Sequence, residues 1–119
     1  MLPKKNRADK KLIETIFKNG KFINSPNLTL KYVDAHLNIS QIGFVVPKTV
    51  AKRAVDRNLL KRRGYSVFKR YLDQPPVGFK GAFIFGKKSL SFFGGRKTKK
   101  YNPIQNLENE IKIILNKIN

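Results

Sequence analysis

The side chains best placed to do chemistry in this chain are cations. Residues 48–71 read KTVAKRAVDRNLLKRRGYSVFKRY and carry nine Lys and Arg against one acid, Asp56. Arginine offers phosphate oxygens a planar fork of donors, and lysine a point charge. At helical spacing Asn58, Arg62, Tyr65 and Lys69 follow one another at steps of four, three and four and stand in one column, flanked by Arg57 and Lys61. Asn58 can donate to a phosphate or a 2′-hydroxyl and accept from a base. Tyr65 is compatible with stacking on a base or with covering the edge of the core. Leu60, Val67, Phe68 and Tyr71 fall on the other side, with Gly64 among them. This pattern predicts a helix with an apolar underside and a cationic ridge. A cationic helix face is most often plain solvated surface, but such faces are normally balanced by acids a turn away, and here that balance is missing. Gly64 costs a helix on the order of 1 kcal/mol relative to alanine. It fits either a tolerated irregularity or a close approach of the helix to a sheet.

Other chemistries are poorly supplied. There is no cysteine, hence no thiol nucleophile, thiolate metal site or disulfide framework. The single histidine, His36, lies next to a predicted turn and reads as a surface or capping residue, since a catalytic histidine needs partners. The acids are Asp9, Glu14, Asp34, Asp56, Asp73, Glu108 and Glu110. No pair of them is spaced to clamp two metal ions, and Glu108 and Glu110, two apart on a helix, do not face each other. No catalytic side chain and no protein metal site are predicted.

Composition points the same way. Lys and Arg number 26 and Asp and Glu 7, a formal net charge of +19. Yet 40% of the chain is hydrophobic and 11% aromatic, enough to close a core and unlike a disordered basic tail. So large a charge opposes folding by self-repulsion, and its usual reason is a polyanionic partner. A chain of 119 residues is expected to form a single domain, 1–119, with a basic and flexible start at residues 1–8. No apolar run reaches the roughly 18 residues of a membrane span, and no apolar stretch follows the charged start. The expectation is a soluble, cytoplasmic protein with no membrane partner and no small-molecule substrate.

The elements that must hold the cations can be placed by pattern. Residues 9–19 read as a helix with Asp9 as N-cap, a stripe of Leu12, Ile13, Ile16 and Phe17, and Asn19-Gly20 as a stop. Residues 27–35 alternate as a strand, and a turn is predicted at His36-Leu37-Asn38. Ile42 to Val46 reads as a central strand ended by Pro47. The basic helix spans about 52–72, stopped by Asp73-Gln74-Pro75-Pro76, and a further strand covers 80–86. In the last helix Ile104, Leu107, Ile111, Ile114, Leu115 and Ile118 share one arc, with Asn102 as N-cap, Pro103 at its first position and Gln105 able to reach back. The order is αββαβα, a small α/β layered protein. A strand precedes the basic helix, so a helix-turn-helix DNA reader is absent. A sheet beside a basic helix suits backbone shape and unstacked bases, which favours RNA. The aromatic signature of RNA-recognition motifs is also absent.

These residues resemble the protein subunit of bacterial ribonuclease P. That family carries A-V-x-R-N-R-x-K-R on its long helix; here the stretch is Ala54-Val55-Asp56-Arg57-Asn58-Leu59-Leu60-Lys61-Arg62. Asn6-Arg7 and Phe17-Lys18-Asn19-Gly20-Lys21 resemble the family's opening. Gly43-Phe44-Val45-Val46-Pro47-Lys48 resembles its strand before the motif, and the strand running into Gly86-Lys87-Lys88 its apolar strand ending in a basic pair. The likeness covers nearly the whole chain in order. Leu59 stands where the motif has its second Arg, implying one RNA contact fewer; Thr49, Ile13 and Tyr65-Ser66 also depart from the pattern, and 89–100 has no counterpart.

The resemblance implies an α/β sandwich with a left-handed βαβ crossover, of the ribosomal protein S5 domain 2 type. It implies a subunit that binds ribonuclease P RNA and precursor tRNA and assists removal of the 5′ leader, with catalysis by the RNA and its Mg²⁺. On this basis Lys48, Lys52, Arg53, Arg57, Asn58, Lys61, Arg62 and Lys87 are assigned to the RNA subunit, and Phe17, Lys31, Tyr32 and Phe44 to a cleft for the leader. Phe17 and Tyr32 are equally compatible with core packing. A ribosome-associated or general RNA-binding module and an autonomous nuclease are the alternatives; the motif with its flanks argues against the first, the scarcity of acids against the second.

Overall fold

The computed structural model describes residues 6–37, 40–71, 78–87 and 103–118. Helix α1 is Lys10–Asn19, and Asp9 caps it as the sequence predicts, its carboxylate accepting from the Leu12 amide at 2.8 Å. The stop at Gly20 works by contact, not by handedness. Its φ is −75°, and a Cβ there would run into the Ile16 carbonyl that accepts the Gly20 N–H. Strand β1, Lys21–Asn24, follows at once. It is absent from the pattern reading because four residues are too few to display an alternation. Strands β2 (Leu28–Leu37) and β3 (Gln41–Val45) come next. The backbone of His36 lies inside β2, not in the turn predicted for it.

Helix α2 spans Ala54–Phe68 and tightens into a 3₁₀ turn at Lys69–Tyr71. Its regular part starts two residues later than predicted, because the preceding turn is anchored: Val50 and Ala51 are buried and their amides donate to the Pro47 carbonyl. Strand β4 is Gly78–Phe85 and helix α3 Pro103–Ile118. Asn102, the stop at 73–76 and the basic stretch 89–100 lie outside the described residues.

The sheet order is β1-β2-β4-β3, with β1, β2 and β4 antiparallel in sequence of neighbours and β3 parallel to β4. The order along the chain is thus αβββαβα, one strand more than expected. The unit β3-α2-β4 connects two parallel neighbours through the basic helix. One sheet face presents Leu28, Leu30, Ile42, Phe44, Phe79, Phe83 and Phe85 to Leu60, Val67 and Phe68 of α2 and Leu107, Ile111 and Ile114 of α3. The alternate residues face the other way. There Gly43 lies under Ile13, so α1 covers the opposite face.

Residues 6–8, expected to be part of a loose basic start, line the free edge of β3. Ala8 N–H donates to the Ile42 carbonyl at 3.0 Å, and the buried Asn6 gives its amide to Ser40. A second polar tie holds the far side. Glu110 of α3 is 7% exposed and accepts from the Ser25 hydroxyl (2.5 Å) and from the Asn27 amide (2.7 Å) and side chain (3.0 Å). No described helix is long and apolar enough to cross a membrane.

Candidate nucleic-acid interface

The turn that buries Val50 and Ala51 turns Lys48, Thr49, Lys52 and Arg53 outward. Helix α2 begins on Arg53 without a side-chain cap, and its only first-turn acid, Asp56, lies 3.8 Å from the Arg53 Nε. Strands β3 and β4 end side by side, Val45 opposite Ile84. Lys48 and Lys87, both exposed, therefore follow at the same end of the sheet. The predicted cations of this end are thus brought together by the parallel pairing.

Further along α2, Asn58 and Arg62 are exposed and Lys61 half-buried. With Tyr65, Ile13 and Phe44 they line a cleft of about 750 Å³ between α1, the β3 edge and α2. Among the described residues no carboxylate lines it. Phe44, which the resemblance puts in the leader cleft, is instead 3% exposed, stacked on Phe83 at 5.0 Å and touched edge-on by Tyr65 at 4.9 Å. The Phe44 N–H donates to the Tyr65 hydroxyl at 3.3 Å. Tyr65 therefore leaves the outer column and folds over the sheet edge, covering the core while showing its remaining surface to the cleft. Gly64 makes this possible. A Cβ there would sit 2.5 Å from two carbons of the Phe44 ring, so of the two readings of this glycine the close approach holds.

Arg57 has a second role. It stands seven residues before Gly64, two helical turns, and so on the inner side of α2. Its Nη1 donates to the carbonyls of Ala51 (3.0 Å) and Lys52 (2.7 Å). The helical spacing to Gly64 carried this signal.

The four residues assigned to a leader cleft do not form one cluster. Lys31 and Phe17 meet, the ammonium 5.7 Å from the ring centroid. Tyr32, next in β2, faces the other way and packs against the main core, while Phe44 lines the cleft at the β3 edge. The pattern reading missed Phe22, with β1, although Lys-Phe-Ile-Asn between Gly20 and Ser25-Pro26-Asn27 offers a strand bounded by turn formers.

The described acids have structural partners at several positions: Asp9 at α1, Asp56 beside Arg53, Glu108 with Arg70 and Tyr71, Glu110 with Ser25 and Asn27. Among the described residues no three His, Cys, Asp or Glu side chains gather. What this surface offers is fixed positive charge, amide donors and aromatic rings.

Residues 2–118 match the family model described as Ribonuclease P. The chain is 34% identical over 76 residues to the ribonuclease P protein component of a Pseudanabaena species, covering 62% of this chain and 66% of the relative. It is 39% identical over 70 residues to that of a Nitratiruptor species, covering 58% and 61%. The match thus spans just under two thirds of the length of these relatives. The solved structure of the ribonuclease P protein from Thermotoga maritima superposes with a TM-score of 0.71 at 25% identity, covering 89% of this chain and 90% of that one.

Proposed function

The chain belongs to the ribonuclease P protein family, and on that premise we propose that it is the protein subunit of a ribonucleoprotein whose RNA removes the 5′ leader of precursor tRNA. The observation that carries this reading is the cleft of Asn58, Lys61, Arg62 and Tyr65, lined by no acid among the described residues and continued by the exposed Lys48, Lys52, Arg53 and Lys87. Those cations lie against the phosphates of the RNA subunit. Arg57 contributes by holding the 51–52 backbone that presents Lys52. Each phosphate neutralised releases condensed counterions, so binding weakens steeply with salt.

Phe17 and Lys31 guide the single-stranded leader by stacking and phosphate contact, which read little sequence, while the buried Phe44 backs Tyr65 at the neighbouring edge. Tyr32 supports this surface from the core side. No protein side chain takes part in bond cleavage. Among the described residues Asp9 caps α1, Asp56 pairs with Arg53, Glu108 holds Arg70 and Tyr71, Glu110 holds Ser25 and Asn27, and no three acids gather, so the metal of the reaction is assigned to the RNA subunit and substrate. The protein adds positive charge where phosphates crowd, raising substrate affinity and lowering the Mg²⁺ demand. A cytoplasmic location is part of the same proposal.

The test mixes purified protein, ribonuclease P RNA and precursor tRNA at low Mg²⁺. Cleavage that requires both macromolecules supports the proposal. Cleavage by the protein alone would make it a nuclease, and failure to stimulate the RNA would leave a plain RNA-binding module.

A further inference from the structure

Residues 6–8 form a strap along the free edge of β3. Arg7 bridges Ile42 in the parallel sense, and the Ala8 N–H bonds the Ile42 carbonyl. Apolar burial does little to hold this strap, since Arg7 is exposed and Ala8 half-buried. Its first residue is tied from the side chain: the Asn6 amide donates to the Ser40 carbonyl, 34 residues on, at 3.0 Å. Both residues are buried, where a donor or acceptor left without its partner is costly. The acceptor is itself fixed. The Ser40 hydroxyl takes the N–H of Phe79, the wholly buried second residue of β4, at 3.2 Å.

The strap leads directly into α1. Asp9 caps the helix, and Ile13 follows one turn later. Ile13 lies over Gly43 of β3 and lines the cleft across from Asn58, Lys61, Arg62 and Tyr65 of α2. The two walls of the cleft are anchored differently. Helix α2 buries Leu60, Gly64, Val67 and Phe68, whereas of the ten residues of α1 only Ile16 is buried. An element with so small a buried face opens locally at low cost, so its position depends on how its end is tied.

We infer that Asn6 is a positioning residue: its bond to Ser40 latches the strap onto β3 and thereby sets the α1 wall of the cationic cleft at the width that RNA requires. Asn6 itself touches no RNA. The inference rests on the RNA-binding reading above and adds to it a latch outside the cleft. Without the latch the wall swings open, and binding has to close it first, so apparent affinity falls with the fraction closed. The phosphate contacts are unchanged in number, and the dependence on salt with them.

The experiment titrates ribonuclease P RNA with the full chain at several salt concentrations, with circular dichroism to check that each variant folds. Asn6→Ala is expected to weaken binding about three- to tenfold at every salt concentration, on a log–log line parallel to the parent's. Rescue comes from a covalent latch. The chain has no cysteine, and a Cβ on Gly43 would lie 3.6 Å from that of Ala8, a separation that a disulfide spans. That Cβ would also meet the tip of the Ile13 side chain, so the reference is the pair Ala8→Cys and Gly43→Cys with Asn6 retained. Adding Asn6→Ala to the pair should leave affinity at the reference value when oxidised and lower it under reductant. If Asn6→Ala alone binds as the parent does, or if oxidation restores nothing, the inference is overturned while the RNA-binding reading stands. A flatter salt line for Asn6→Ala would make the strap a phosphate contact in its own right and would overturn the latch as well. If the parent fails to bind the RNA, the RNA-binding reading has failed and the latch with it.

Discussion

Nη1 of Arg57 donates to the carbonyl of Ala51 at 3.0 Å and also reaches that of Lys52. The side chain at the heart of the cationic motif is therefore part of the scaffold that presents its neighbours. Arg62, five residues on, is exposed and tied to no backbone carbonyl among the bonds described. The two arginines should separate on mutation. Arg57→Ala is expected to cost about 1.5–3 kcal/mol of stability, the range for hydrogen bonds from charged donors, and to weaken RNA binding as well. Arg62→Ala should leave the denaturation midpoint unchanged and flatten the log–log salt dependence of RNA binding by up to about one unit. Urea denaturation beside binding titrations at several salt concentrations checks both.

Gly64→Ala should destabilise the protein in spite of alanine's better helix propensity. The propensity gain is about 1 kcal/mol. Forcing a methyl against the Phe44 ring costs about 1–3 kcal/mol, because Phe44 is backed by Phe83 and Phe85 and has no room to retreat. Shrinking the ring should relieve the clash, so Gly64→Ala should cost less in a Phe44→Leu background. A double-mutant cycle by chemical denaturation measures this coupling.

Glu110→Ala should cost about 2–4 kcal/mol, since it removes a buried carboxylate that accepts from the Ser25 hydroxyl and from the amide and side chain of Asn27. The loss acts on the turn joining β1 to β2, so hydrogen exchange should accelerate there before it does in β4.

Tyr71 makes high-pH stability informative. Burial, its hydrogen bond to Glu108 at 3.0 Å and the charge of that carboxylate push its pKa up to about 12, against the opposing pull of Arg70. Its unfolded value is about 10. The native state thus holds the phenolic proton more tightly than the unfolded chain does. The resulting stabilisation is full below pH 10 and is lost as pH rises through about 12. The stability difference between the parent and Tyr71→Phe should shrink across that window, and a tyrosinate absorbance titration should show one late-ionising phenol. A pH-independent difference would contradict the assignment.

Much of this molecule is legible in one dimension because periodicity reports which face of an element meets the core. The stripes of α1 and α3, the underside of α2 and the apolar run of β3 follow from side chains repeating at 3.6 or 2 residues. The excess of cations and the lack of an acid cluster are matters of composition, so the polyanionic partner was legible too. Tertiary structure decided what depends on contacts between distant residues. Periodicity shows that Tyr32 and Lys31 point to opposite faces but not that Lys31 finds Phe17. It marks Gly64 as inward-facing but not that Phe44 waits beneath it. It gives no hint that β3 lies beside β4, which brings Lys48 and Lys87 to one end, or that a four-residue β1 carries Phe22 to Lys31. Pairing and register are set by the sum of many weak contacts across the whole sheet, and no local window of residues contains that sum.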